Sequence, residues 1–149
     1  MRFECSPTYT IDPFVPCVPE QMRAVLGEPR LIYMVGDPVP RAVAHWAESR
    51  AVALDRRPLE EAFADVADPM NLYVAASRYG HQLERFLEVF DAAQILIVDQ
   101  RDLRDRRRET LHEIFAFAGV REDHWAPAYE QEANTAADKP APNPLGRAG

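Results

Sequence analysis

Lysine is almost missing from this chain. Of its 17 basic residues all but Lys139 are arginine, so a reaction that needs a lysine ammonium has one candidate, close to the C-terminal end. Cysteine is scarce too. Cys5 and Cys17 form neither a C-x-x-C pair nor a metal-ligand spacing, which excludes a disulfide scaffold and a zinc cluster and points to a reducing cytoplasm. His45, His81, His112 and His124 are scattered without ligand spacing, so no metal is expected. No apolar window approaches the roughly 20 residues of a membrane span, and Met1-Arg-Phe-Glu-Cys5 has no signal-peptide core behind it. A basic stripe is also lacking. The formal charge is −7 with a pI near 5.1, which argues against nucleic acid and against an anionic membrane surface, though not against a local phosphate pocket. There is no internal repeat and no glycine-rich dinucleotide fingerprint, and Ser6, Ser49 and Ser77 lack a nucleophile-elbow context.

What is present is the composition of one globular domain, 149 residues with 47% apolar content. The most informative stretch runs from Leu31 to Trp46. Leu31-Ile-Tyr-Met-Val35 is a continuous apolar run rich in β-formers, suited to a parallel strand covered on both faces. From Asp37 the period becomes helical, and Val39, Ala42, Val43, Trp46 and Ala47 are predicted to pack. Asp37 is the expected N-cap, with Pro38 and Pro40 in the first turn, where a missing N–H is tolerated. Such a strand-to-helix corner is expected to aim free amides and a positive dipole end above the sheet, a setting that favours an anion.

The remaining chain alternates similarly. A helix is predicted over Pro19 to Leu26, stopped by Gly27, and another begins at Pro58. Leu72, Ala76, Tyr79, Leu83, Phe86, Leu87 and Phe90 make one long helical stripe. Gln94 to Val98 reads as a second strand, and Glu109 to Ala118 as a helix ended by Gly119. The arginine-rich run Asp99 to Arg108 carries acids at 99, 102 and 105, the pattern of a solvated loop and helix start. Arg2 to Cys5 is a short strand candidate, Tyr79 reads as packing, and His81 as a surface residue.

These residues carry a resemblance. Gly36-Asp37-Pro38-x-x-Arg41-x-x-Ala44, followed by an aromatic at Trp46, resembles the 3′-phosphate segment of sulfotransferases that use 3′-phosphoadenosine 5′-phosphosulfate (PAPS), which reads Arg-[Asp/Asn]-Pro-x-x-Arg-x-x-Ser and then an aromatic. Glu4-Cys-Ser-Pro-Thr-Tyr9 resembles the Glu-Lys-[Ser/Thr]-Pro-x-Tyr segment of the glycosaminoglycan-type branch, and Ser77 to Leu87 its [Ser/Gly]-x-Tyr-x-x-x-Leu-x-x-[Trp/Phe]-Leu helix. Family members place residues near the adenine or the acceptor at the start of that helix. The resemblance spans about residues 3 to 120.

It also exposes departures. Gly36 and Ala44 stand where the family has the Arg and Ser that grip the 3′-phosphate, and Cys5 replaces the Lys near the transferred sulfuryl group, where positive charge offsets the charge that builds on its oxygens. The family's Lys/Arg-x-Gly-Thr-[Thr/Ser] phosphosulfate loop has no counterpart, because the sequence contains no Gly-Thr pair. The catalytic Glu that follows this loop in the glycosaminoglycan-type branch is missing with it, so no catalytic residue is assigned.

The resemblance thus implies an α/β fold, a P-loop-NTPase-like parallel sheet flanked by helices, lacking its first strand and phosphosulfate loop. Residues 1–125 are expected to form this partial domain and 126–149 a Pro/Gly-rich flexible tail. The implied cofactor is PAPS, or its product 3′,5′-adenosine bisphosphate (PAP), at Gly36, Asp37, Pro38, Arg41 and Ala44, without a metal. The function expected is that of a sulfotransferase-family protein, moving a sulfuryl group to a hydroxyl or amine acceptor in the family but truncated or degenerate here and weakly active or inactive alone. A non-catalytic interaction module, or one part of a split enzyme completed by another chain, remains open. Unpaired strand edges left by a missing strand would call for a homodimer or a partner chain.

Overall fold

A computed structural model describes residues 2–131. After an irregular start and a 3₁₀ turn at Pro7–Thr10, the elements are α1 (Val18–Leu26), β1 (Leu31–Val35), α2 (Pro38–Ala51), α3 (Leu59–Ala62), α4 (Leu72–Ala75), α5 (Tyr79–Leu87), β2 (Ile95–Asp99), α6 (Gln100–Asp105) and α7 (Arg107–Ala118), with a last 3₁₀ turn at Pro127–Glu130. The two strands pair in parallel, Leu31 opposite Ile95 through Val35 opposite Asp99. Both strands and the α/β character therefore stand as expected. The Arg2–Cys5 segment does not, since it has no strand partner.

Gly27 and Gly119 end α1 and α7, each with φ of +70°. That backbone is open to glycine and strained for other residues. At Gly119 a side chain would also collide with Arg30, whose Nη1 donates to the Phe117 carbonyl at 2.7 Å.

The stripe from Leu72 to Phe90 is not one helix. Arg78 leaves helical geometry at φ −81°, ψ 65°, and the Ser77 hydroxyl donates back to the Tyr73 carbonyl at 2.7 Å. A serine that bonds its own preceding turn competes with helix continuation, so α4 and α5 are separate and the break precedes Gly80. The apolar positions still converge. Val18, Phe86 and Phe90 form a buried cluster with Leu31 and Ile95 against it, which covers the start of both strands. A second cluster joins Ala42, Ala62 and Tyr73, flanked by Trp46 and Phe63.

Two packing expectations are corrected. α2 packs on α3 and α4, burying Ala42 as predicted with Trp46 against the same cluster, but Ser49 joins them and the two valines of the predicted face do not. Val39 is 69% and Val43 38% exposed. The strands are not covered on both faces either: Met34 is 42% and Ile97 49% exposed. Among the described residues the sheet has these two strands alone, each with an unpaired outer edge. No helix of the described residues is long and apolar enough to cross a membrane.

The arginine-rich run folds as α6 and the start of α7. Its acids are used locally: Asp99 accepts from the Arg101 N–H at 2.7 Å and Asp102 pairs with Arg106 at 2.9 Å. Of the expected tail, residues 127–130 form a turn fastened to α7, with Arg107 Nη1 donating to the Tyr129 carbonyl at 3.2 Å and the Tyr129 ring against Phe115. Residues 132–149, with Lys139, lie outside the described residues.

Candidate functional site

The parallel register brings the C-terminal ends of β1 and β2 side by side, so each strand hands over to a helix at the same edge. In open α/β sheets this is where ligands sit. At the end of β1, Gly36 faces Gln100, the first residue of α6: a Cβ built on Gly36 would lie 3.1 Å from the Gln100 Oε1 and 3.9 Å from the Tyr79 hydroxyl. The space that a side chain at position 36 would enter is therefore filled by a neutral amide.

Asp37 caps α2 as expected, its Oδ1 accepting from the Val39 N–H at 3.0 Å. The first turn of α2 nevertheless leaves no amide for an anion, and for that turn the expectation is corrected. Pro38 and Pro40 have no N–H, Val39 gives its own to Asp37, and the Arg41 N–H donates to the Asp37 carbonyl at 3.2 Å. No backbone donor from Pro38 to Arg41 is free.

Arg41 supplies the positive charge here. Its Nη1 donates to the Ser77 Oγ at 3.3 Å and lies 3.4 Å from the His45 Nδ1. Burial, followed by the neighbouring guanidinium, lowers the His45 pKa, so the ring is neutral at pH 7 and Nδ1 serves as acceptor. The ring of Tyr73 meets His45 edge-on at 5.1 Å. Together Ser77 and His45 hold Arg41 in place, one turn inside the cap.

Tyr33, on the face of β1 directed at α5, packs edge-to-face with Tyr79 at 5.9 Å. Its hydroxyl is buried and has no well-formed hydrogen bond. Burial pushes its pKa up to about 12, with the Thr10 hydroxyl close by pulling the other way.

The Glu4–Tyr9 segment is a well-shaped turn. The Ser6 Oγ accepts from the Thr8 N–H at 3.2 Å, and the Tyr9 hydroxyl donates to the Glu4 carboxylate. Gln82, 1% exposed, fastens the turn to the body: its Oε1 accepts from the Asp12 N–H at 3.0 Å while its Nε2 donates to the carbonyls of Asp12 at 2.9 Å and Ala75 at 3.2 Å. Cys5 is an exposed free thiol.

Of the residues predicted for this site, Gly36, Asp37, Pro38 and Arg41 share one corner. Ala44 sits on the exposed side of α2, two turns beyond the cap. Tyr33, Gln82 and Gln100 went unrecognised in the sequence. Gln100 was legible in principle, because pairing Val35 with Asp99 sets residue 36 beside residue 100; Gln82 had no local signal. Two surface hollows of about 270 and 480 Å³ lie elsewhere, lined by residues of α6, α7 and the 122–130 segment, so they take no part in the corner. Among the described residues no group of three or more His, Cys, Asp or Glu could hold a metal ion.

Comparison with known proteins agrees with this architecture. A sulfotransferase of Alicyclobacillus acidocaldarius, known from its crystal structure, superposes with a TM-score of 0.66 at 21% identity, over 80% of this chain and 51% of that one. The chain therefore spans about half the length of that structure, and the likeness establishes the fold. No curated protein matches. The sulfotransferase domain model matches residues 16–135, which takes in β1, the Asp37–Pro38 corner, Arg41 and the strand-to-helix exchange at Asp99, and the chain belongs to the sulfotransferase domain family.

Proposed function

We propose that the β1–α2 corner has lost the grip on the 3′-phosphate that sulfotransferases have there, so that the chain alone does not hold PAP at micromolar concentration and transfers little or no sulfuryl group from PAPS. One observation carries the reading: at the position matched to the family's phosphate-gripping Arg, Gly36 backs directly onto the Gln100 amide. The residues at this corner do not fit PAPS. Neither Gly36 nor Ala44 presents a ligating side chain, no backbone N–H from Pro38 to Arg41 is free, and Cys5 stands where the resemblance calls for the cation of a lysine. The exposed thiols of Cys5 and Cys17 are in keeping with a reducing, cytoplasmic setting.

Calorimetric titration of the purified chain with PAP tests the reading, together with a radiolabelled-sulfate transfer assay from PAPS. Micromolar affinity for PAP, or turnover by the chain alone, would sink it.

A second reading draws support from a different observation. The unpaired strand edges and the half-exposed Met34 and Ile97 suit a sheet completed by further strands, contributed by another polypeptide carrying a phosphosulfate loop or by a second copy in a non-catalytic module. A two-stranded sheet gains independent stability from added strands. Sedimentation decides here, since a well-folded, strictly monomeric species counts against the module. For the split enzyme, co-expression with the neighbouring reading frame must yield a complex.

A further inference from the structure

β1 has the composition of an interior strand and stands at an edge. Leu31-Ile-Tyr-Met-Val35 is apolar or aromatic throughout, with none of the lysines, prolines or inward charges that keep edge strands from pairing. Among the described residues β2 is its one strand partner, and no backbone hydrogen bond from a loop or cap reaches Leu31 to Val35. One face of the strand is also bare. Residues opposite each other in the parallel register point the same way, yet Val98 is 4% exposed and its register partner Met34 is 42% exposed. α6 and α7 pack on β2, and the cover on that face stops short of Met34.

The strand is complementary to itself. A two-fold axis at the edge sets two copies antiparallel. Centred on Tyr33, it pairs Leu31 with Val35 and Ile32 with Met34 of the second copy, and Tyr33 with its own counterpart, so every cross-strand pair is apolar or aromatic. The exposed methionine thereby gains an isoleucine beside it on the same face. Charge fits as well. The exposed Arg30 precedes the strand and the exposed Asp37 follows it, and antiparallel pairing brings the basic end of each copy to the acidic end of the other. β2 lacks this symmetry: paired with itself about Ile97, it would set the exposed Asp99 carboxylate against Ile95 of the second copy, once at each end.

We propose that the outer edge of β1 is a homodimer interface, at which two copies pair antiparallel into a four-stranded sheet ordered β2–β1–β1–β2. Such a sheet passes the three strands needed for independent stability. The proposal rests on the second-copy reading above and fixes the edge and the register at which that copy docks.

The test is sedimentation equilibrium of the full chain from micromolar to submillimolar concentration, beside Met34→Lys and Ile97→Lys. Both side chains are more than two-fifths exposed in the single chain, so neither lysine should unfold it, and far-UV dichroism checks this. A dimer is expected, its dissociation constant raised about tenfold or more by Met34→Lys and changed less than about twofold by Ile97→Lys. Amide exchange should slow with rising concentration at Ile32 to Val35 and stay constant at Ile95 to Asp99. A dimer that Met34→Lys spares, or one whose added protection falls on Ile95 to Asp99, would overturn this edge and leave the second-copy reading standing. A well-folded chain that stays monomeric throughout would remove the second-copy reading and the proposal with it.

Discussion

Replacing Gln82 by leucine should destabilise this protein more than any surface change of the same size. The side chain is 1% exposed and its amide spends every bond on backbone: one accepted from the Asp12 N–H and two donated to the carbonyls of Asp12 and Ala75. Leucine fits the volume but leaves the Asp12 N–H and carbonyl without partners, while the Ala75 carbonyl keeps the Arg78 N–H at 3.1 Å. An unsatisfied buried group costs about 1–3 kcal/mol. The Asp12 groups lie near the surface and regain water once the turn loosens, so a total of about 2–4 kcal/mol is expected. At this chain length that corresponds to a fall in melting temperature of about 4–16 °C, measured by calorimetry or far-UV dichroism. The loss should be local as well as global, with amide exchange speeding up over residues 6–14 before the rest. Gln82→Glu separates hydrogen bonding from packing. A carboxylate there faces two carbonyls, which raises its folded pKa above the unfolded value of about 4.3. A raised folded pKa means that the variant is most stable below the unfolded pKa and weakens as pH rises through the folded one, whereas the leucine variant has no such dependence. A leucine variant that melts within one or two degrees of the parent, with unchanged exchange at residues 6–14, would refute the reasoning.

Other changes probe other parts of the structure. Gly119→Ala forces a left-handed backbone on alanine and drives its Cβ to 2.6 Å from the Arg30 Nη1, so it should cost about 1–3 kcal/mol in a denaturation curve, while Gly80→Ala, with open space around it, should not destabilise. Asp55 accepts from Arg57 and from the Tyr73 hydroxyl, and these partners, Arg57 foremost, hold its carboxyl well below the usual range. A depressed folded pKa adds stability above the unfolded pKa that is lost as pH falls. Asp55→Asn should therefore lower the melting temperature at pH 7, and the gap to the parent should close as pH drops below about 4. Val39→Ser and Val43→Ser on the exposed side of α2 should each stay within about 0.5 kcal/mol of the parent, whereas Ala42→Leu, placed in the buried cluster with Ala62 and Tyr73, should cost about 1–3 kcal/mol through overpacking.

Local chemistry made much of this protein legible before its structure. A continuous apolar run is nearly unambiguous, and Leu31–Val35 folds as the strand it reads as. Capping signals are similarly local: Asp37, Gly27 and Gly119 act where they stand, because a cap depends on the backbone of its own turn. The break between α4 and α5 was hidden, since a helical apolar spacing survives a one-turn interruption, and only the Ser77 bond to Tyr73 shows where the ladder yields. The face of α2 was misjudged for a related reason. A helix with apolar residues on several sides does not reveal which side its neighbours will cover, and α3 and α4 kept Ala42 of the predicted face, added Ser49 and left Val39 and Val43 outside.

The candidate site divides along the same line. From the sequence alone come the corner, its cap, the two prolines in its first turn and the absent side chains at Gly36 and Ala44, all of them properties of consecutive residues. Only the tertiary structure decided that Gln100 would stand against Gly36, that Ser77 and His45 would hold Arg41, that Tyr33 would pack edge-on against Tyr79, and that Gln82 would fasten a turn seventy residues away. Those contacts join segments far apart in the chain. Their geometry follows from a parallel register and from how helices settle on one another, and no spacing within a single segment encodes it.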